Sequence, residues 1–202
     1  ILVCLIGGMV SPAQADWYHD EQAIMGTSVS LTLWSDDNTT AKRAIALVMG
    51  EMRRIDATLS TYNPASLVSK VNRDAATGNV DITPELLTIL DKSLYYSGLS
   101  QGAFDISYAS VGKHYDYRLK QQPALGLRKQ LLSAIGYHQI HLDKVTYQVA
   151  FAHPQLQIGL GGIAKGYAVD RGIAILADLG ITSASISAGG DSRVLGDKRG
   201  KP

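Results

Sequence analysis

The sequence predicts an α+β domain, and three observations carry that prediction. Residues 28–33, SVSLTL, alternate apolar and polar without a break, the two-residue period of a half-buried strand. Two longer stretches, 36–60 and 83–98, repeat apolar residues every three to four positions, the period of a helix packed on a core. Between and after them come closely spaced short strands, at 138–142, 145–151 and 155–160, separated by turns. A doubly wound sheet would instead alternate single strands with helices, so mixed sheets with packed helices are the expected architecture. At 202 residues the chain is long enough for one domain with a sizeable core, or two small ones.

The elements follow in chain order. Residues 1–15, ILVCLIGGMVSPAQA, carry no charge, run apolar to Val10 and end in Ala13-Gln14-Ala15. This is the pattern of a signal peptide's apolar region followed by an A-x-A cleavage site, so the domain is expected to span 16–202 and the mature chain to start at Asp16. The basic start of such a signal is missing, so the chain is expected to begin inside it; a buried N-terminal strand is the competing reading. Cys4, the only cysteine, lies in this segment without the small neighbour of a lipid-attachment site, and is expected to be incidental. An exported, cysteine-free mature chain fits a bacterial periplasm or outer cell surface.

After the strand at 28–33, Ala41, Ala44, Ile45, Val48, Met52 and Ile55 stand at helical spacing, with acidic residues before them and arginines toward the end, as a helix dipole prefers. LSTYNPASLVSKVN (59–72) reads as a polar turn, bent at Asn63-Pro64 because the residue before proline is pushed out of the helical region. Thr83-Pro84-Glu85 then caps and opens a second helix through Leu86, Leu87, Leu90 and Leu94, which Gly98 is placed to close. A tyrosine-bearing stretch from Tyr108 has no period. Residues 123–136 read as a third helix, 164–179 as a fourth ending at Gly180, and SASISA (183–188) as a last strand before Gly189-Gly190-Asp191.

A formal net charge of +1 gives no polyanion-binding surface, which argues against nucleic acid as a partner. His138 and His141 fall on opposite faces of a strand, which suits incidental histidines better than a metal site. His114, amid Tyr108, Tyr115 and Tyr117, is placed either to line a pocket or to sit in an exposed loop. No Ser-His-Asp arrangement emerges from the spacing.

The stretch with chemistry in it is GLGGIAKGYAVDRG (159–172). Glycines let the backbone approach a ligand, and the first amides of the helix at 164 have no partners within it, so an anion is favoured there. Lys165 adds a cation at that mouth. The pattern is neither G-x-G-x-x-G nor G-x-x-x-x-G-K-[ST]. An anion site and a tight strand-to-helix packing turn both remain open on these residues.

Four pieces taken together, IMGTSVSLTL, IDATLSTYNPASLVSKVN, SQGAFDIS and GLGGIAKGYAVDRG…SISAGGDSRVLG, resemble the FAD:protein FMN transferases, the ApbE family, in order and approximate spacing. The likeness covers the chain after the signal segment. It implies an exported enzyme that binds FAD with Mg²⁺, cleaves the diphosphate and attaches FMN to a threonine or serine hydroxyl of a target protein, releasing AMP. The implied target is a flavin-carrying subunit of a membrane-bound redox complex, and the implied place is the periplasmic side of the inner membrane. An FAD pyrophosphatase yielding FMN and AMP, or a non-catalytic FAD-binding protein, are the alternatives.

The resemblance also implies roles for individual residues. The Gly162 carbonyl falls at the metal and Lys165 at the flavin nucleotide. Met25 falls in the motif that meets the flavin, Tyr62, Asn63 and Pro64 in a flavin-binding turn, and Ala103 and Asp105 in GAFD at the ligand. A tyrosine ring suits stacking on a flat heterocycle and restricting water, which favours transfer over hydrolysis. Family members continue past GDKRGKP, where further Mg²⁺ ligands and a histidine-bearing stretch belong. The catalytic groups are therefore expected beyond this chain, which alone is expected to be inactive.

Overall fold

The computed structural model describes residues 15–116 and 119–198. The expectations for 1–14, including Cys4, and for Tyr117 lie outside them. The α+β prediction holds as two antiparallel sheets with helices packed on them. The larger has strand order β1-β2-β6-β7, from β1 (Asp16–Ile24), β2 (Thr27–Ser35), β6 (Ala184–Ala188) and β7 (Asp191–Leu195). The smaller has order β3-β5-β4, from β3 (Val80–Asp81), β4 (Ile140–Asp143) and β5 (Gln148–Phe151).

Alternation puts Val29, Leu31 and Leu33 of β2 on the inner face, all completely buried. Each such side chain contributes about 1.5–3 kcal/mol relative to exposure. Helix α1 (Asn38–Leu59) covers them with Ala41, Ala44, Val48, Met52 and Ile55. Asp37 starts it, its two carboxylate oxygens accepting from the amides of Thr39 (3.2 Å) and Thr40 (2.7 Å). Helix α6 (Ala164–Asp178) packs beside α1 on the same sheet. Gly172 makes the approach possible: a Cβ there would meet Ile186 Cδ1 at 2.7 Å and Val48 Cγ1 at 3.1 Å. Gly180, at φ +77°, closes α6 as predicted, with the amide of Ile181 returning to the Leu176 carbonyl at 3.0 Å.

Several boundaries differ from expectation. Helix α3 (Pro84–Leu99) opens as predicted, Thr83 Oγ1 accepting from the Leu86 amide at 3.2 Å, but it runs through Gly98. Its stop is Gln101–Gly102, both at positive φ, where the Gly102 amide bonds the Ser97 carbonyl at 2.8 Å. Arg53 and Arg54 lie well before the last turn of α1, so they do not complement its dipole; no basic residue lies in that turn. The polar stretch after Ser66 is a helix, α2 (Leu67–Asp74), capped by Ser66 on the Ser69 amide. Residues 109–112 form the short α4 (Ala109–Gly112). The third predicted helix shrinks to α5 (Leu125–Leu131) and a 3₁₀ turn, ended by Gly136 at φ +152°.

The predicted strand at 155–160 is absent, although Leu156, Ile158 and Leu160 alternate into the core. Side chains supply the pairing a strand would need. Asn72 of α2 accepts from the Ile158 amide (2.7 Å) and donates to its carbonyl (2.9 Å), while Ser110 Oγ accepts from the Gln157 amide (2.9 Å). Both backbone groups of Ile158 are thus satisfied without a ladder.

Candidate active site

A cleft of about 940 Å³ opens where four chain segments meet. The first is the β1–β2 turn, Met25-Gly26. Both residues have positive φ (56° and 70°), the geometry of a tight two-residue hairpin turn, and the Met25 amide donates to Asp56 Oδ2 at 3.3 Å. The second is the end of α1 and the turn after it, from Asp56 to Tyr62. The Asn63 side chain donates to the Ala57 carbonyl (2.9 Å) and accepts from the Ala65 amide (3.0 Å), and the Pro64 carbonyl accepts from Arg73 (2.8 Å). Asn63 and Pro64 therefore build the turn and stand outside the cleft wall, while Tyr62 enters the cleft with its residue 97% exposed.

The third segment, Lys113–Asp116, follows α4. His114 lines the cleft together with Lys113, Tyr115 and Asp116. Sequence reasoning raised only His114 and Tyr115 as candidates, since this stretch has no period to read. Asp56 was equally unmarked, although it stands inside a quoted motif.

The fourth is the glycine loop and the first turn of α6. Gly159 packs so closely that a Cβ there would meet Ala109 Cβ at 3.0 Å, whereas at Gly161 it would meet nothing within 4 Å. Lys165 Nζ donates to the Gly161 carbonyl at 2.8 Å, and its stem passes Gly189, where a Cβ would meet Lys165 Cδ at 3.1 Å. Helix α6 has no side-chain cap: Ile163 stands at that position. The Ala164 amide reaches the Leu160 carbonyl (2.8 Å) and the Tyr167 amide the Ile163 carbonyl (3.0 Å), while the amides of Lys165 and Gly166 meet no acceptor among the described residues. The first turn of α6 thus keeps two open N–H groups, and Ala164 and Lys165 of that turn line the cleft.

Ala103 and Asp105 are not brought to the cleft. Both oxygens of Asp105 are engaged in holding the chain: Oδ1 accepts from the Ser107 amide (2.8 Å) and hydroxyl (2.6 Å), Oδ2 from the Tyr137 amide (2.9 Å). The ring of the intervening Phe104 lies against Gly162, whose Cβ would meet it at 3.2 Å. Gly162 itself is exposed and does not line the cleft. Among the described residues no group of three His, Cys, Asp or Glu side chains converges, so the Gly162 carbonyl has no set of carboxylates beside it.

The model of the ApbE family matches residues 25–202. The chain belongs to the ApbE family. An FAD:protein FMN transferase of Treponema pallidum is 24% identical over 99% of this chain and 58% of its own length. One of Chlamydia muridarum is 30% identical over 57% of this chain and 37% of its own. Among solved structures, the ApbE protein of Thermotoga maritima superposes with a TM-score of 0.83 at 27% identity, covering 92% of this chain and 61% of that one. The flavin transferase ApbE of Vibrio cholerae gives 0.84 at 20% identity, a likeness of fold. The chain thus spans between about a third and three fifths of the length of these ApbE relatives.

Proposed function

We propose that the cleft binds FAD and that the whole protein is an FAD:protein FMN transferase. The observation that carries the reading is the uncapped start of α6, whose first turn keeps two open amides and places Lys165 in a cleft large enough for a dinucleotide and bordered by the exposed Tyr62 ring. The curated relatives named for this activity support it. In the transfer a threonine or serine hydroxyl oxygen of a target flavoprotein forms a bond to the FMN phosphorus. The diphosphate P–O bond on the AMP side breaks, AMP leaves with the electron pair, and the hydroxyl proton passes to solvent. The amides of Lys165 and Gly166 with the Lys165 ammonium would hold the diphosphate oxygens and balance their charge, and Tyr62 would stack on a ring of the ligand.

The family resemblance brings Mg²⁺ to the reading too. The ion wants six oxygens in near-octahedral array. The described residues offer the Gly162 carbonyl without converging carboxylates, so they do not by themselves build that site. Export to the periplasm, with a flavin-carrying subunit of a membrane redox complex as target, belongs to the same proposal. The first strand beginning at Asp16, directly after Ala13-Gln14-Ala15, supports that cleavage point; sequencing of the mature N-terminus checks it, and a lipidated Cys4 found there would overturn it.

The test of the site is Lys165→Ala. FAD affinity should fall by about 1.5–3 kcal/mol, the worth of hydrogen bonds to a charged group, while riboflavin, which has no phosphate, should bind almost unchanged. Equal losses for both flavins would remove Lys165 from the diphosphate. Incubating the full-length protein with FAD, Mg²⁺ and a flavoprotein subunit distinguishes a flavinylated target from free FMN or from neither.

A further inference from the structure

Behind the cleft lies a charged cluster that no step above uses. Arg54 of α1 forms two-pronged pairs with both Glu51 (2.8 and 3.0 Å) and Glu85 (2.9 and 2.6 Å), and Arg171 of α6 reaches Glu51 at 3.3 Å. The Tyr167 hydroxyl donates to Glu85 Oε1 at 2.8 Å. Three helices meet in this cluster: α1 two residues before Asp56, α3 in its first turn, and α6 in its first turn. Arg54 holds the Glu85 carboxyl below the usual glutamate range, and burial with Glu85 alongside pushes the Tyr167 hydroxyl up to about 12. At neutral pH a protonated phenol therefore faces a charged acceptor, the stronger kind of hydrogen bond.

Helices α1, α2 and α3 each fix their first turn with a side chain of the preceding residue, from Asp37, Ser66 and Thr83. Such a cap would occupy the amides that α6 leaves open. The first turn of α6 is tied instead from its other side, by Tyr167, two residues beyond Lys165. We propose that Tyr167, held through Glu85 on Arg54, is a positioning residue that secures the uncapped first turn of α6 and so sets Lys165 and the open amides in the cleft. The inference rests on the FAD reading of that cleft for its effect on binding, though not for the fixing of the turn.

Tyr167→Phe removes one oxygen and keeps the ring. In the ligand-free protein it should speed hydrogen exchange about tenfold at the amides of Ala164 and Tyr167, the two in this turn that have acceptors, with the core helix α1 unchanged. FAD affinity should fall about three- to tenfold, the net worth of one hydrogen bond, and riboflavin affinity less than about twofold. In a Lys165→Ala background the same substitution should cost less in FAD affinity than it does with Lys165 present, because one of the groups it positions is gone while the amides remain. Glu85→Gln keeps an acceptor for the phenol and should give a smaller rise in exchange than Tyr167→Phe. Unchanged exchange at the amides of Ala164 and Tyr167, equal losses for the two flavins, or an undiminished FAD effect without Lys165 would each overturn the proposal. Failure of the unsubstituted protein to hold FAD overturns the cleft reading instead, and the exchange rates, which need no ligand, still decide whether Tyr167 secures the turn.

Discussion

Helices α1 and α6 lie side by side on one sheet, yet their first turns are finished in opposite ways. Asp37 takes up two amides of α1 with its side chain, whereas the Ile163 side chain offers the α6 amides no acceptor. The α1 start faces solvent, and a carboxylate there serves the fold alone. The α6 start faces the cleft, where a side-chain acceptor would fill the place of an anionic ligand. The comparison teaches where to look for function in this fold: at the helix whose opening the chain itself leaves unsatisfied.

The comparison breaks most sharply if the α6 start is given an anion of its own. Gly161→Asp places a carboxylate beside Lys165 at a position where an added Cβ meets nothing within 4 Å. A like charge ~5 Å from the diphosphate at an effective dielectric constant of ~20 costs about 3 kcal/mol, so FAD affinity should drop roughly a hundredfold in an equilibrium titration. Gly161→Ala, the control, should leave it within about twofold. If both variants bind alike, the opening of α6 does not read charge.

Removing a cap that serves only the fold should do the reverse. Thr83→Ala at α3 should cost about 1 kcal/mol of stability, seen as a melting midpoint about 2–4 °C lower, with FAD affinity unchanged. The smallest effect is one of pH. Hydrogen bonds from Thr40 (hydroxyl, then amide) and from the Thr39 amide hold the Asp37 carboxyl below its ordinary value of 3.8. Because the folded value is the lower one, the stabilisation is present above the unfolded value and is lost as pH falls through the folded one. Acid should therefore loosen the start of α1, seen as lost protection at the amides of Thr39 and Thr40 once the intrinsic pH dependence of exchange is removed; protection that persists below the folded value would remove Asp37 as the source of that stability.

The parts legible in the sequence were those where one face is buried and one is not. Val29, Leu31 and Leu33 announced β2, and the Thr83-Pro84 pair announced α3. Strand β1 was missed because DWYHDEQAI puts polar residues on both faces, as an edge strand of the sheet permits. Strand β7 was missed because four of its five residues are exposed, leaving no inner face to read. The segment 155–160 misled in the other direction: its alternation is real, but the partner of Ile158 is an Asn72 side chain 86 residues earlier, which no local pattern reveals. Of the residues the sequence offered for the ligand, Met25, Tyr62 and Lys165 line the cleft. Asp105 does not line the cleft, and its carboxylate accepts from the amides of Ser107 and Tyr137, a placement that the letters GAFD do not reveal.

The β1–β2 hairpin has a spectroscopic consequence. The chain has two tryptophans, Trp17 and Trp34, and they stand opposite each other across this ladder, edge to face, with ring centres 5.5 Å apart. The Met25-Gly26 turn at the cleft is eight residues further along β1, about 26 Å at ~3.3 Å per residue. The protein's tryptophan emission therefore originates at one end of a paired ribbon whose other end lines the cleft. A yellow chromophore arriving in the cleft can dim that emission through space, without touching either indole. The same light followed during heating records the fraying of an outer strand, so a midpoint obtained from it belongs to the sheet edge before it belongs to the cleft.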